Sequence, residues 1–150
     1  MTTDADLFKL YSTRILALAA DIPLTDRLSN PHSTVKKRAP LCGSAVTVDL
    51  CVADGRVSKF AQDVKACALG QAAASVVGAN IIGRTRAEVE TARNQLRAML
   101  KSDGPAPDAP FNELEVLIPA RGFANRHGSI LLALDATLDA FDDATNSCCA

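Results

Sequence analysis

Residues 41–71 read LCGSAVTVDLCVADGRVSKFAQDVKACALGQ, and this stretch decides the fold. At its centre Asp54-Gly55 is a two-residue hairpin signal, because a type I′ turn needs positive φ at both central positions and Asp and Gly tolerate it. Before the turn, Val46, Val48, Leu50 and Val52 alternate as one apolar face of a strand. With Ala53 opposite Arg56, paired residues sum to 109, and so do 42 and 67. Cys42, at the mouth of the first strand, then lies opposite Cys67 at the end of the second. Opposed residues have Cβ atoms about 4.5–5.5 Å apart, close enough for two thiolates to share one metal ion or cluster. Val57 joins the apolar face by pairing, but Phe60 and Val64 fall on the other face. A β-bulge in the return strand restores the phase and slips the cysteines by about one position.

The chain from Cys67 to Ile82 is rich in Ala and Gly and carries no charge between Lys65 and Arg84, which predicts a helix buried on several sides. Cys67 sits at its first turn, where free amide N–H groups and the helix dipole favour a thiolate. Gly83 ends it. Thr85 and Glu88 form a capping box for an amphipathic helix reaching about Lys101, with Val89, Ala92, Leu96 and Met99 inward. Gly104 to Pro110 is a loop by its prolines, and Phe111 to Ile118 a short helix closed by Pro119. Asn125 caps the last long helix, with Arg126, His127 and Gly128 in its first turn and Ile130, Leu131, Leu134, Leu138 and Phe141 inward.

Upstream, Asp4 caps a covering helix with Leu7, Leu10, Tyr11, Ile15 and Leu18 on one side, and Leu24 to Pro31 is a loop. Ser33 to Arg38 adds a third strand. Its Lys36, Lys37 and Arg38 read either as a solvated edge or as a positive rim near Cys42. No strand follows the hairpin to make a βαβ unit. The order therefore implies an α+β fold, a three-stranded antiparallel sheet with helices packed largely on one face. At 150 residues one domain is expected, spanning 1–150 with a flexible polar tail from about 143.

Composition narrows the function classes. Net charge is -1 from 16 basic and 17 acidic residues, so nothing in bulk electrostatics favours nucleic acid or an anionic membrane. No apolar run reaches the roughly 20 residues of a membrane span, and Asp4 and Asp6 stand where a targeting leader would be basic, so a cytoplasmic protein is expected. Five cysteines there are thiols or ligands rather than a disulfide framework.

Cys42, Cys67 and His127 converge on one end of this layout. Thiolate is a soft donor and imidazole a borderline one, a combination that suits zinc or iron-sulfur chemistry. The plainer alternatives stay open: Cys67 as a small buried hydrophobe, and His127 as a surface residue at a helix start. Cys51, mid-strand on the opposite face, fits a packing role. Cys148 and Cys149, vicinal in the tail, fit no fixed site.

Leu41-Cys42-Gly43, the Asp54-Gly55 hairpin, Ala66-Cys67-Ala68 with Ala72 to Val77, and Arg126-His127-Gly128-Ser129-Ile130-Leu131 resemble the U-type iron-sulfur cluster assembly scaffolds, the IscU/NifU-like family. The likeness runs in the same order from about Tyr11 to Phe141. It implies an α+β fold and a non-enzymatic role: a nascent iron-sulfur cluster, most simply two-iron two-sulfide, or zinc, is held at one end of the sheet. It also implies two partners, a cysteine desulfurase that donates sulfur and the proteins that accept the finished cluster. Cys42 and Cys67 match the first two ligand cysteines, and His127 matches the histidine beside the third. Two ligand positions depart from the family: Ser44 replaces an aspartate, and Gly128 replaces the third cysteine. Leu117-Ile118-Pro119-Ala120-Arg121 is only loosely similar to the family's chaperone-docking segment, so that chaperone is not expected. The departures motivate a second reading, a sulfur acceptor or desulfurase regulator that builds no cluster. A third, a hydrolase or transferase using Cys67 with His127 as base, requires a thiol–imidazole contact.

Overall fold

The computed structural model describes residues 13–41 and 43–148, with side chains as far as Thr145. The hairpin forms as its turn chemistry requires: Asp54 and Gly55 have φ of 54° and 75°, joining β2 (Ser44–Ala53) to β3 (Arg56–Lys65). Ala53 pairs with Arg56 and Val52 with Val57, but Cys51 pairs with Lys59, so Ser58 is the extra residue of a bulge in the return strand. Beyond it Leu50 faces Phe60 and Val46 faces Val64, which gathers the apolar side chains on one face. β1 (Ser33–Ala39) pairs antiparallel with β2, giving the sheet order β1-β2-β3.

Val46, Val48, Leu50, Val57 and Phe60 are buried under the helices. Helix α1 covers residues 13–19, with Ile15 and Leu18 against the core; Leu7, Leu10 and Tyr11 lie outside the described residues. Helix α2 (Ala68–Asn80) is buried along most of its length, as its uncharged sequence demands. Helix α3 (Arg86–Lys101) opens on the Thr85–Glu88 capping box and buries Val89, Ala92, Leu96 and Met99. Helix α4 (His127–Cys148) crosses β1 and β2 between its neighbours, and Ile130, Leu131, Leu134, Leu138 and Phe141 are all buried.

The opposite face of the sheet is closed by the loop before β1 rather than by a helix. Asp49 points into it from β2 with a side chain that water does not reach. It accepts from Arg27 Nε at 2.6 Å and Nη2 at 3.0 Å, from the Leu28 amide at 3.1 Å and from Thr34 Oγ1 at 2.7 Å. Cys51 shares that face, buried, with its thiol 3.6 Å from the Asn30 carbonyl, which is a packing role.

Three expectations are corrected. Pro119 does not close a helix: residues Asn112–Gly122 form a run of 3-10 turns with Pro119 inside. Each i→i+3 turn stands alone, so a missing proline N–H removes one link without breaking a ladder. Asn125 does not cap α4, because a 3-10 turn over Ala124–Arg126 feeds the chain into His127, with Phe123 and Arg126 amides bonded to the Ala120 and Phe123 carbonyls at 2.9 and 2.8 Å. The polar tail expected from about 143 is helical as far as Cys148, held by buried Ala144 and by Arg86, whose Nε lies 2.7 Å from Asp142. The Cys148 side chain and Cys149 lie outside the described residues. Among the described residues no helix is long and apolar enough to cross a membrane.

Candidate functional site

Three chain starts meet at one end of the sheet: the first residue of β2, the N-terminus of α2 and the N-terminus of α4. Ala39 pairs with Ser44, and the Gly43 amide bonds to the Ala39 carbonyl at 3.0 Å, so the β1–β2 connection turns tightly here. Gly43 has a φ of 71°, a conformation that glycine adopts without strain. Cys42 belongs to this connection but lies outside the described residues. The register that the bulge produces is one step from the simple hairpin, as the apolar phases required.

Cys67 is the N-cap residue of α2 and is half-buried. Burial opposes the thiolate, but the amides of Gly70 and Leu69, the Ser129 hydroxyl and the Arg126 guanidinium outweigh it, holding the thiol below its ordinary range. The two amides act by facing the sulfur at the positive end of the helix, since the side chain closes no cap hydrogen bond.

His127, the first residue of α4, is 3% exposed. Its Nε2 lies 3.0 Å from the Ala120 carbonyl, which can only accept, so Nε2 carries a proton and the neutral ring has its lone pair on Nδ1. That Nδ1 is buried and has no hydrogen-bond partner among the described residues. Metal-ligating histidines show this arrangement, with one ring nitrogen anchored to a carbonyl and the other left to donate. His127 is thus no surface residue, and the thiol–imidazole pair of a hydrolase is not formed: among the described residues neither ring nitrogen bonds Cys67.

Between these groups sits Ser129, buried in the first turn of α4. Its Oγ lies 2.9 Å from Ser44 Oγ and 3.6 Å from Cys67 Sγ. Ser44 is 2% exposed and turned into this contact. Helices α2 and α4 approach so closely that a Cβ on Gly70 would stand 2.3 Å from Ser129 Oγ. Gly128, by contrast, is exposed and supplies no side chain. The available donors, one activated thiol and one anchored imidazole, fit a soft or borderline ion such as iron or zinc. Among the described residues no three His, Cys, Asp or Glu side chains gather to hold a metal. Ser129 had a signal in the sequence that spacing arguments pass over, a lone hydroxyl opening an Ile/Leu run and matched by a glycine inside an Ala-rich helix.

No protein-family model matches the chain, and no curated protein does. Solved structures do. A nitrogen-fixing NifU-like protein (N-terminal) from Brucella abortus is 40% identical, over 93% of this chain and 98% of that one, with a TM-score of 0.89. A candidate iron-sulfur cluster assembly scaffold protein for the SUF system from Fervidobacterium islandicum AW-1 superposes with a TM-score of 0.75 over 89% of this chain and 97% of that one, and at 19% identity it supports the fold alone.

Proposed function

This chain belongs to the NifU-like family of U-type iron-sulfur cluster assembly scaffolds, and from that premise we propose that it is a cytoplasmic scaffold or carrier, not an enzyme. Its cargo is an iron-sulfur cluster of the two-iron two-sulfide kind, or zinc, held by Cys42 and Cys67 with His127 as a weaker third ligand. Sulfur comes from a cysteine desulfurase, and the cluster leaves to acceptor proteins. No nucleic acid and no membrane take part.

The observation that carries this reading is the placement of the Cys67 sulfur, half-buried at the N-terminus of α2 with the Ser129 hydroxyl 3.6 Å away. Thiolate, not thiol, is the form that binds metal and accepts sulfur. The His127 Nδ1 lone pair, at the start of the neighbouring helix, supports the third ligand. Neither Ser44 nor Gly128 makes up the set, so a coordination position stays open, which eases exchange and lowers affinity. Anaerobic reconstitution with ferrous iron and sulfide tests the proposal: the wild type takes up an absorbing, oxygen-labile chromophore, and Cys42→Ala and Cys67→Ala each lose it. Failure of the wild type to bind iron or zinc stoichiometrically contradicts it.

The contact of Ser44 with Ser129 favours a second reading, since a hydroxyl committed there is a poor ligand. On that reading the chain accepts sulfur from the desulfurase, or regulates it, without building a cluster. Persulfide on Cys42 or Cys67 after incubation with a desulfurase, with no chromophore, distinguishes it.

A further inference from the structure

We infer that Ser129 is a positioning residue for Cys67, the middle member of a hydroxyl chain that runs Ser44 to Ser129 to the Cys67 sulfur; this rests on the scaffold reading only for its purpose. Either partner in each contact could donate, and ionisation of Cys67 is what sets the direction. A thiolate has no proton to give, so the hydroxyl 3.6 Å from Cys67 Sγ must donate to it. Having one proton, Ser129 then accepts through Oγ, and Ser44, 2.9 Å away, supplies the proton of that second hydrogen bond. Hydrogen bonds of this kind reinforce one another in a buried setting, and both serines are 2% exposed.

The backbone is shaped to permit the arrangement. Gly70 leaves the space that Ser129 Oγ occupies, since a Cβ there would lie 2.3 Å from Oγ and 3.2 Å from the Ser129 carbonyl. The sulfur is therefore held from two sides, by amides at the end of α2 and by a hydroxyl from α4 that is itself tied to β2. A sulfur so held presents one direction to an incoming ion or sulfur donor, and the position of β2 is coupled to it through Ser44.

The test uses metal-free full-length protein and cysteine-resolved mass spectrometry of iodoacetamide labelling at pH 7. Cys51, buried on the far face, reports the integrity of the fold in the same sample. Ser129→Ala slows labelling of Cys67 by roughly threefold to tenfold, the net worth of one ordinary hydrogen bond, and leaves Cys51 protected. Ser44→Ala slows it in the same direction by less, and decides the matter if Ser129→Ala exposes Cys51. Cys67 labelling unchanged or faster, with Cys51 still protected, overturns the inference. Because no metal is present, this outcome is separate from cluster binding: a Ser129 effect in a protein that binds no iron removes the scaffold reading alone.

Discussion

Gly128 stands where the resemblance to the scaffolds implies a third cysteine, and the space around it makes the difference testable. A Cβ there would meet only the Ala39 Cβ, at 3.6 Å, an ordinary contact. Gly128→Cys therefore folds and restores a third thiol at the start of α4. Zinc affinity measured by competition rises by roughly tenfold or more, since a further thiolate at a site with an open position does at least what an outer-shell partner does. Unchanged affinity means the metal, if bound, lies elsewhere. The placement of Cys67 at a helix start was legible from the Ala-rich run that follows it, and that of His127 from the apolar period beginning at Ile130. The buried state of His127 was not, because it depends on the Ala120 carbonyl seven residues back, which a 3-10 turn brings within 3.0 Å.

The elements around the site answer to close packing. At Gly70, alanine gains about 1 kcal/mol of helix propensity but brings Cβ to 2.9 Å from the Ala66 Cβ as well as 2.3 Å from Ser129 Oγ. Overpacking costs typically 1–3 kcal/mol, and with two approaches under 3 Å the upper end applies, so Gly70→Ala lowers stability by up to about 2 kcal/mol net, read as a lower denaturation midpoint at unchanged slope. The hairpin and the capping box were readable because each is set by two or four local residues; even the bulge followed from a clash between turn register and apolar phase. The 3-10 run through Pro119 and the helical end of α4 were not. The first is stabilised by packing of Leu114, Val116, Leu117 and Ala120, and the second by Ala144 in the core and Arg86 from another helix.

Across the whole molecule, the sheet is sandwiched between helices and a loop that a single buried carboxylate pins. Burial opposes the charge of Asp49, but Arg27, Thr34 and the Leu28 amide outweigh it and hold the carboxyl below its ordinary range. The unfolded chain thus binds a proton at higher pH than the folded one, so this contribution is present above about pH 4 and is lost as pH falls through the folded value. Glu88, held low first by the Thr85 amide, adds to the same window. Asp49→Asn costs on the order of 2 kcal/mol at pH 7, and the gap from wild type in urea unfolding narrows below about pH 4. A gap that is constant with pH would mean that the carboxylate charge is not what fastens the loop. A lone charge between Val48 and Leu50 was the one hint in the sequence, and its partner lies 22 residues away.

On the proposed function, the end of the sheet carrying Cys67 holds a metal cargo. Its most direct measurement is the ratio of iron or zinc to chain in anaerobically purified protein, for wild type and Cys67→Ala side by side. A stoichiometric metal is expected in the first and its loss in the second. Metal-free wild type after reconstitution, or equal metal in both proteins, would contradict the proposed function.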